Sequence, residues 1–534
     1  MRTFKPEVIL VLLLLPMTLW AQNPYLSSSN LPIVVVATNE SIKDDPKVNG
    51  TIGIIDNGES RNNLSDSFTF QSNIGIEIRG ASSQNFPKKS YGFELRDKDN
   101  NDTDAPLLDM PEEEDWILHG PYSDKSLMRN VLTFTLAGML DGYAPRCRYV
   151  ELIINDDYRG VYVLMEKIKR DKNRVKISKL KEDDISGEDL TGGYIIKIDK
   201  KAGSGGDGFH SRFSNSNGSR SYYQYHYPKD DDITSEQKNY IQDWVYQFEK
   251  RVKSRDFNAE TGYHAYVDKE SFADYLIMNE LAKNVDGYRL STYFYKDKNE
   301  KLNLGPIWDF NLSYGNADYH NGWKEEGFQF EANLGNDHWQ NPFYWGIICD
   351  DPLFKKAVGQ RWKELRKNKF SNQKVFHLVD SLTTRLAEAK DRNFQRWNVL
   401  GKRVWPNYYV ASTHAAEINW MKNWITERLA WLDENIPQKF NYGVGNTILA
   451  NTNSIKLYPN PFQNQLNIQF IGNQNQKYRI ELYNSQGVLS AVKEVFVQNG
   501  NVQLNLEHLK QGIYLYRIFN NYSLLKSGKL VKMK

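Results

Sequence analysis

Cysteine is nearly missing from this chain: 534 residues carry two, Cys147 and Cys349. That excludes a disulfide framework as the main source of stability, and a chain of this length buries ample core without one. Whether the two thiols pair depends on a geometry that sequence separation does not define. Histidine is scarce and scattered, nine residues with no His-x-His or His-x-x-x-His spacing, which argues against a zinc site. Charge of one sign is not in excess: Lys and Arg number 68 against 66 Asp and Glu, so no basic face for nucleic acid is expected. Beyond the N-terminus no long uncharged apolar run occurs, and no later segment is expected to cross a membrane. GSGGDG at 203–208 is glycine-rich but lacks the Gly-Lys-Ser/Thr ending of a phosphate-cradling loop; it reads as a mobile insertion.

What is present begins with a leader. Arg2 and Lys5 precede the apolar run VILVLLLLPMTLWA, and Ala21–Gln22 offers a cleavage point, the order of a secretory signal peptide over residues 1–21. No lipobox cysteine follows, so the mature chain is expected to be exported without a lipid anchor. Aromatics are abundant, with 32 Tyr and 13 Trp, enough to build an aromatic core.

The rest divides by pattern. LPIVVVAT, TIGIID, FTFQSNIGIEIRG and KKSYGFELRD read as strands, DKSLMRNVLTFTLAGML as a helix with Asp124 able to cap it, and CRYVELIINDDYRGVYVLMEKI as a hairpin around residues 155–160, with Glu166 at its end. Amphipathic helical segments follow over 234–253, 269–284, 352–367, 372–391 and 412–435. A β-rich lobe over about 30–228 and a helix-rich lobe over about 229–440 are expected, with a cleft between them. A Gly/Asn/Ser/Thr linker at 441–452 leads to short alternating strands over 453–534, the pattern of a small β-sandwich. The fold class is α+β followed by a small all-β, Ig-like domain.

One stretch concentrates the chemistry. In KNVDGYRLSTYFYKDKNEKLNLGPIWDFNLSYGN, Asp286 follows a helical segment, STYFY reads as a strand, KDKNE as a turn, and KLNLGPIWDF as a returning strand ending at Asp309. The two acids are equidistant from the turn, so an antiparallel return is expected to set them side by side. Two carboxylates so placed suit phosphoryl transfer, one orienting a hydroxyl and the other holding a metal; the plain alternative is a solvated acid at each strand end.

Several blocks carry a family resemblance: IEIRGASSQNFPKKSYGFEL, YSDKSLMRNVLTF, YRGVYVLMEKI, SFADYLIMNELAKNVDGYRLSTYFYKD and LGPIWDFNLSYGN, in that order across residues 30–440. The chain resembles the CotH family of atypical, spore-coat-type protein kinases. The resemblance implies a diverged two-lobed kinase fold, ATP with Mg2+ or Mn2+ as cofactors, and a Ser/Thr acceptor on a secreted protein. It implies Asp286 as the catalytic acid and Asp309 as the metal-binding acid. Lys89, with Lys88 as rival, is the candidate phosphate-pairing lysine, and Arg79 with Gly80 forms a phosphate-facing turn. Asn311 stands where the family often has aspartate, which weakens metal binding, and Ser291 stands where an ordinary kinase has its second metal-binding asparagine; Asn284 is a local substitute.

A second resemblance, on LYPNPF, LYNSQGVL, LKQGIYLYRI and the Lys-rich close, is to the type A C-terminal sorting domain of type IX secretion in Bacteroidota. It implies passage through the periplasm and outer membrane to the cell surface or medium, with the secretion machinery as a partner. The losses at Asn311 and Ser291 keep a second reading open, a kinase-shaped protein that binds a glycan or polypeptide without catalysis. A carboxylate pair flanked by Trp308 and Tyr314 also admits glycoside hydrolysis, which nothing else supports.

Overall fold

The computed structural model describes residues 26–200, 206–441, 455–470, 476–484, 488–497, 500–520 and 523–534. The leader and the linker expected at 441–452 lie outside these residues apart from Asn441, as does the first half of the glycine-rich segment at 203–208. Two compact units divide the chain, residues 1–439 and 440–534.

The first unit opens with a closed seven-stranded barrel. Its strands are Ile33–Ala37, Val48–Ile55, Phe70–Arg79, Ser90–Arg96, Asp115–His119, Cys147–Ile154 and Asp157–Glu166. Alternate residues point inward, as the two-residue period of a strand requires, so Val34, Val36, Ile52, Ile54, Ile74, Ile76, Phe93, Leu95, Trp116 and Leu118 fill the interior. Closure comes from one parallel pairing, Ile33–Val36 beside Glu151–Ile154. The last two strands form the expected hairpin, but its turn is only Asn155–Asp156, both with positive φ (48° and 62°), the primed geometry that tight hairpins favour.

A five-stranded sheet comes next, ordered Gly208–His210, Tyr222–Tyr227, Tyr194–Ile198, Thr292–Lys296, Leu302–Leu304. Its central ladder pairs Ile196 with Phe294, joining segments from either side of residue 228. Around it lie the helices α1 (Arg129–Ala137), α2 (Ser235–Lys253), α3 (Lys269–Ala282), α4 (Tyr344–Ile348), α5 (Pro352–Lys367), α6 (Asn372–Arg385), α7 (Ala389–Arg396) and α8 (His414–Lys439). Asp124 is not the N-cap of α1, which is Met128 without a side-chain cap, because the helix starts later than its pattern suggests; Asp124 instead accepts from the Arg129 N–H at 2.9 Å. The stretch read as one helix over 372–391 is two, α6 and α7. Cys147 and Cys349 are free thiols.

The second unit holds a three-stranded and a four-stranded antiparallel sheet over Ile455–Lys532. Leu466, Ile468, Ile480, Leu482, Ile518 and Leu530, drawn from both sheets, share one core. No described helix is long and apolar enough to cross a membrane.

Candidate functional site

Asp286 sits on a turn that the end of α3 creates. Asp268 caps that helix by accepting from the Ser271 N–H at 2.7 Å, and Lys283 ends it in the left-handed region at φ 44°. α3 is buried nearly all round, and one of its acids, Glu280, pairs with the equally buried Arg428 of α8 at 3.0 Å. Tyr288 Oη donates to the same carboxylate at 2.8 Å, which ties the turn after Asp286 back to the helix.

The expected hairpin forms, but in a different register. Phe294 pairs with Leu304 and Lys296 with Leu302, so the partner mirrored to Asp286 is residue 312 rather than Asp309. The returning strand also stops at Leu304, because Gly305 makes the last bond, to the Tyr293 carbonyl at 2.8 Å, and Pro306 has no N–H to continue the ladder. Side-chain clamps replace the ladder. Asn130 of α1 accepts from the Phe310 N–H at 2.6 Å, and Asp309 adopts φ 61°, an unusual conformation for a non-glycine residue.

Asn284 links the two acids. Its Oδ1 accepts from the Asp286 N–H at 3.2 Å and its Nδ2 donates to the Asp309 carbonyl at 3.2 Å. The side chain proposed from sequence as a spare metal ligand is thus spent on backbone. Asp286 Oδ1 accepts from Arg289 Nη2 at 2.7 Å and from Tyr319 Oη at 3.2 Å, and its Oδ2 has no protein partner among the described residues. Arg289 is itself divided, donating also to Asp337 Oδ2 and to the Trp339 carbonyl, both at 2.9 Å.

The Asp309 carboxyl is pushed up to about 7, first by the protein crowded around it and then by the negative charges of Asp286 and Asp199. The residue is nevertheless exposed to solvent. Arg79 and Lys200 oppose the rise. Arg79 lies over the Trp308 ring at 5.7 Å, its own pKa lowered by burial. Lys197 pairs with Asp199 at 3.2 Å. Burial holds the imidazoles of His119 and His226 down, to about 4 and about 3, so both are neutral beside these cations at pH 7.

The predicted lysines are engaged by protein partners. Both precede the strand Ser90–Arg96, so strand alternation does not sort them. Lys88 is the buried one, donating to the Val161 carbonyl at 2.6 Å and to Asn393 of α7 at 2.8 Å; Lys89 donates to the Gln84 carbonyl. Neither is among the leading charges acting on Asp309. Gly80 has φ 106° and anchors the short turn Ser82–Asn85, its carbonyl accepting from Gln84 Nε2 at 2.7 Å. Glu166 is structural, held by Arg146 at 2.6 Å and Tyr143 at 3.0 Å. The Asn311 carbonyl accepts from Asn316 at 2.8 Å, and Ser291 immediately precedes the strand Thr292–Lys296.

Sequence reasoning missed Asp199, Lys200, Arg289 and Tyr319. The run Lys-Ile-Asp-Lys at 197–200, ending a strand just before the glycine-rich segment, was the available signal. Asp199, Asp286 and Asp309 do not converge on a single point. Among the described residues the one trio of close carboxylates is Asp104, Glu113 and Glu114, and there Lys169 already donates to Glu113 at 2.8 Å and to Glu114.

Family profiles match residues 76–432 to "CotH kinase protein" and residues 456–533 to "Secretion system C-terminal sorting domain". No curated protein matches the chain. Among solved structures, one similar chain is Pseudomonas fluorescens alkylpurine DNA glycosylase AlkC bound to DNA containing an abasic site analog. Identity is 11%, over 38% of this chain and 56% of that one, with a TM-score of 0.11. Another is the Twitchin kinase region from C. elegans, at 10% identity over 95% and 99% of the two chains and a TM-score of 0.10. The chain spans just over half of the glycosylase, and TM-scores this low carry no structural argument. The sorting domain marks the protein for type IX secretion, to the cell surface or outside. With the first profile spanning most of the barrel and every helix through most of α8, the chain belongs to the CotH kinase protein family.

Proposed function

We propose that this protein is an exported kinase that transfers phosphate from ATP to Ser or Thr of a secreted or surface protein. The observation that carries the reading is the Asn284 clamp, which holds Asp286 and Asp309 at one cleft by bonds of 3.2 Å on either side. Asp286 is the group that accepts the proton of the acceptor hydroxyl, through the oxygen that no protein donor fills. Arg289 and Tyr319 fix its orientation from the other oxygen.

Burial first and then the negative charges of Asp286 and Asp199 raise the Asp309 carboxyl, and such a set of oxygen donors suits a hard cation. Asp309 is the residue to hold Mg2+ or Mn2+, with the Asn311 amide oxygen as a neutral second donor. When bound, that ion neutralises phosphate oxygens. Arg79, Lys200 and Lys197 supply further positive charge at the same cleft and are the residues to meet the triphosphate.

A kinase-shaped binder without catalysis is the second reading. It is favoured by the two donors that already occupy Asp286 Oδ1, which leave one oxygen of that carboxylate for a substrate. Radiolabel transfer from ATP to the protein itself and to co-secreted proteins separates the two. The kinase reading expects acid-stable label with Mn2+ or Mg2+, lost in Asp286→Asn while the melting temperature is kept. Full labelling by that variant refutes the assignment, and ATP binding without any transfer selects the binder.

A further inference from the structure

Trp308 shares an apolar cluster with Tyr143 and Tyr295. Those two tyrosines also line a cavity of about 490 Å³, within the size range that holds a small ligand or a few residues of peptide. Its walls are the segment after α1, the first turns of α3 and one face of α5, and its apolar lining includes Met278, Leu304, Pro306 and Ile307. Its rim is acidic: Asp141, Asp268, Glu270, Asp274 and Glu364 line it, against a single cation, Arg361.

Arg361 is already spent. Its Nε and Nη2 donate to the two oxygens of Asp274 at 2.7 and 2.9 Å, and Nη2 also donates to Asp141 at 2.9 Å. Asp268 is committed to capping α3, and Glu270 has Lys269 at 3.2 Å. The outer carboxylates stay wet, with side-chain exposures of 81% for Asp141, 72% for Glu270 and 70% for Glu364. They come from three separate elements and surround an apolar strip.

We propose that this cleft docks an extended polypeptide segment in which Lys or Arg alternates with aliphatic side chains. Charge complementarity selects cations at the rim and disfavours acidic or phosphorylated segments. The apolar lining excludes a bare metal ion or small ammonium as the natural occupant, because either would leave that surface wet. A backbone that spaces basic side chains around an aliphatic one satisfies both. Docking here needs no chemistry at Asp286, so it stands apart from the kinase reading.

The test uses the full chain and a fluorescein-labelled Lys-Leu-Arg-Leu-Lys amide, read by fluorescence anisotropy. Wild type should bind it, more weakly as ionic strength rises. Asp141→Asn/Glu270→Gln/Glu364→Gln should weaken binding about tenfold, since three exposed ion pairs are lost together. Ala357→Trp, which fills the cavity from α5 and spares every carboxylate, should also block it, with melting temperatures checked for both variants. Asp286→Asn should bind like wild type. The proposal is overturned if wild type fails to bind, if the neutralised variant binds equally, or if Lys-Gly-Lys-Gly-Lys or Glu-Leu-Glu-Leu-Glu binds as tightly.

Discussion

Replacing Asp309 by asparagine should make the metal-free protein more stable, not less. The folded carboxyl titrates near 7, against 3.8 for an ordinary aspartate, so ionising it opposes folding. For a raised acid the sign is definite. Below about pH 4 the group is protonated in both states and costs nothing; the penalty grows between 4 and 7 and is complete above 7. Each pKa unit corresponds to about 1.4 kcal/mol, so the full shift sets a ceiling of about 4 kcal/mol. Because solvent reaches the residue, screening reduces this to about 1–2 kcal/mol, a rise of a few degrees at most in a unit of this size. The assay is calorimetric melting of wild type and Asp309→Asn at pH 5 and pH 8, with chelator and then with Mn2+ and a non-hydrolysable ATP analogue. At pH 8 with chelator the variant should melt higher, and the gap should shrink at pH 5. Ligand at about a hundred times its dissociation constant should add about 2.7 kcal/mol to wild type and much less to the variant. A variant that melts lower at pH 8 without metal, or a gap independent of pH, refutes the reasoning.

Asn284→Ala removes both halves of the clamp, so label transfer should fall by about a hundredfold or more while secondary structure is kept; unchanged transfer would show that the clamp does not position the acids. Arg428→Ala strands Glu280 in the core without its partner, and denaturant unfolding should show a loss of about 3–5 kcal/mol, far more than any surface ion pair yields. A loss under about 1 kcal/mol would show that Glu280 is protonated and self-sufficient in the fold.

The elements of the helical region were legible because each signal is local. Asp268, Asp351 and Ser371 cap α3, α5 and α6 from one residue before the first turn, and the apolar spacing of α5 carries the rest. Six of the seven barrel strands were legible for the same reason, whereas Asp115–His119 was not read as a strand. Its closure was not, because the parallel pairing of Ile33–Val36 with Glu151–Ile154 joins segments more than a hundred residues apart and leaves no mark on either. At the site, the residue types at 286 and 309 were readable, but the mechanism that brings them together was not. Hairpin symmetry predicted their meeting for a reason the register contradicts; side chains of Asn284 and Asn130 do the work instead.

Composition and short-range pattern alone therefore determined the periodicity of most strands and helices, the acidic character of positions 286 and 309, and the tail whose profile marks secretion. Tertiary structure alone decided which cations besides Arg79 face those acids. It put Lys88 into the contact with α7 and brought Lys197 and Lys200, with Arg79 from the barrel, to the cleft. The physical reason is range. A cap or an alternating strand is written within a few residues, whereas the field at a carboxylate sums over every charge that folding brings near it.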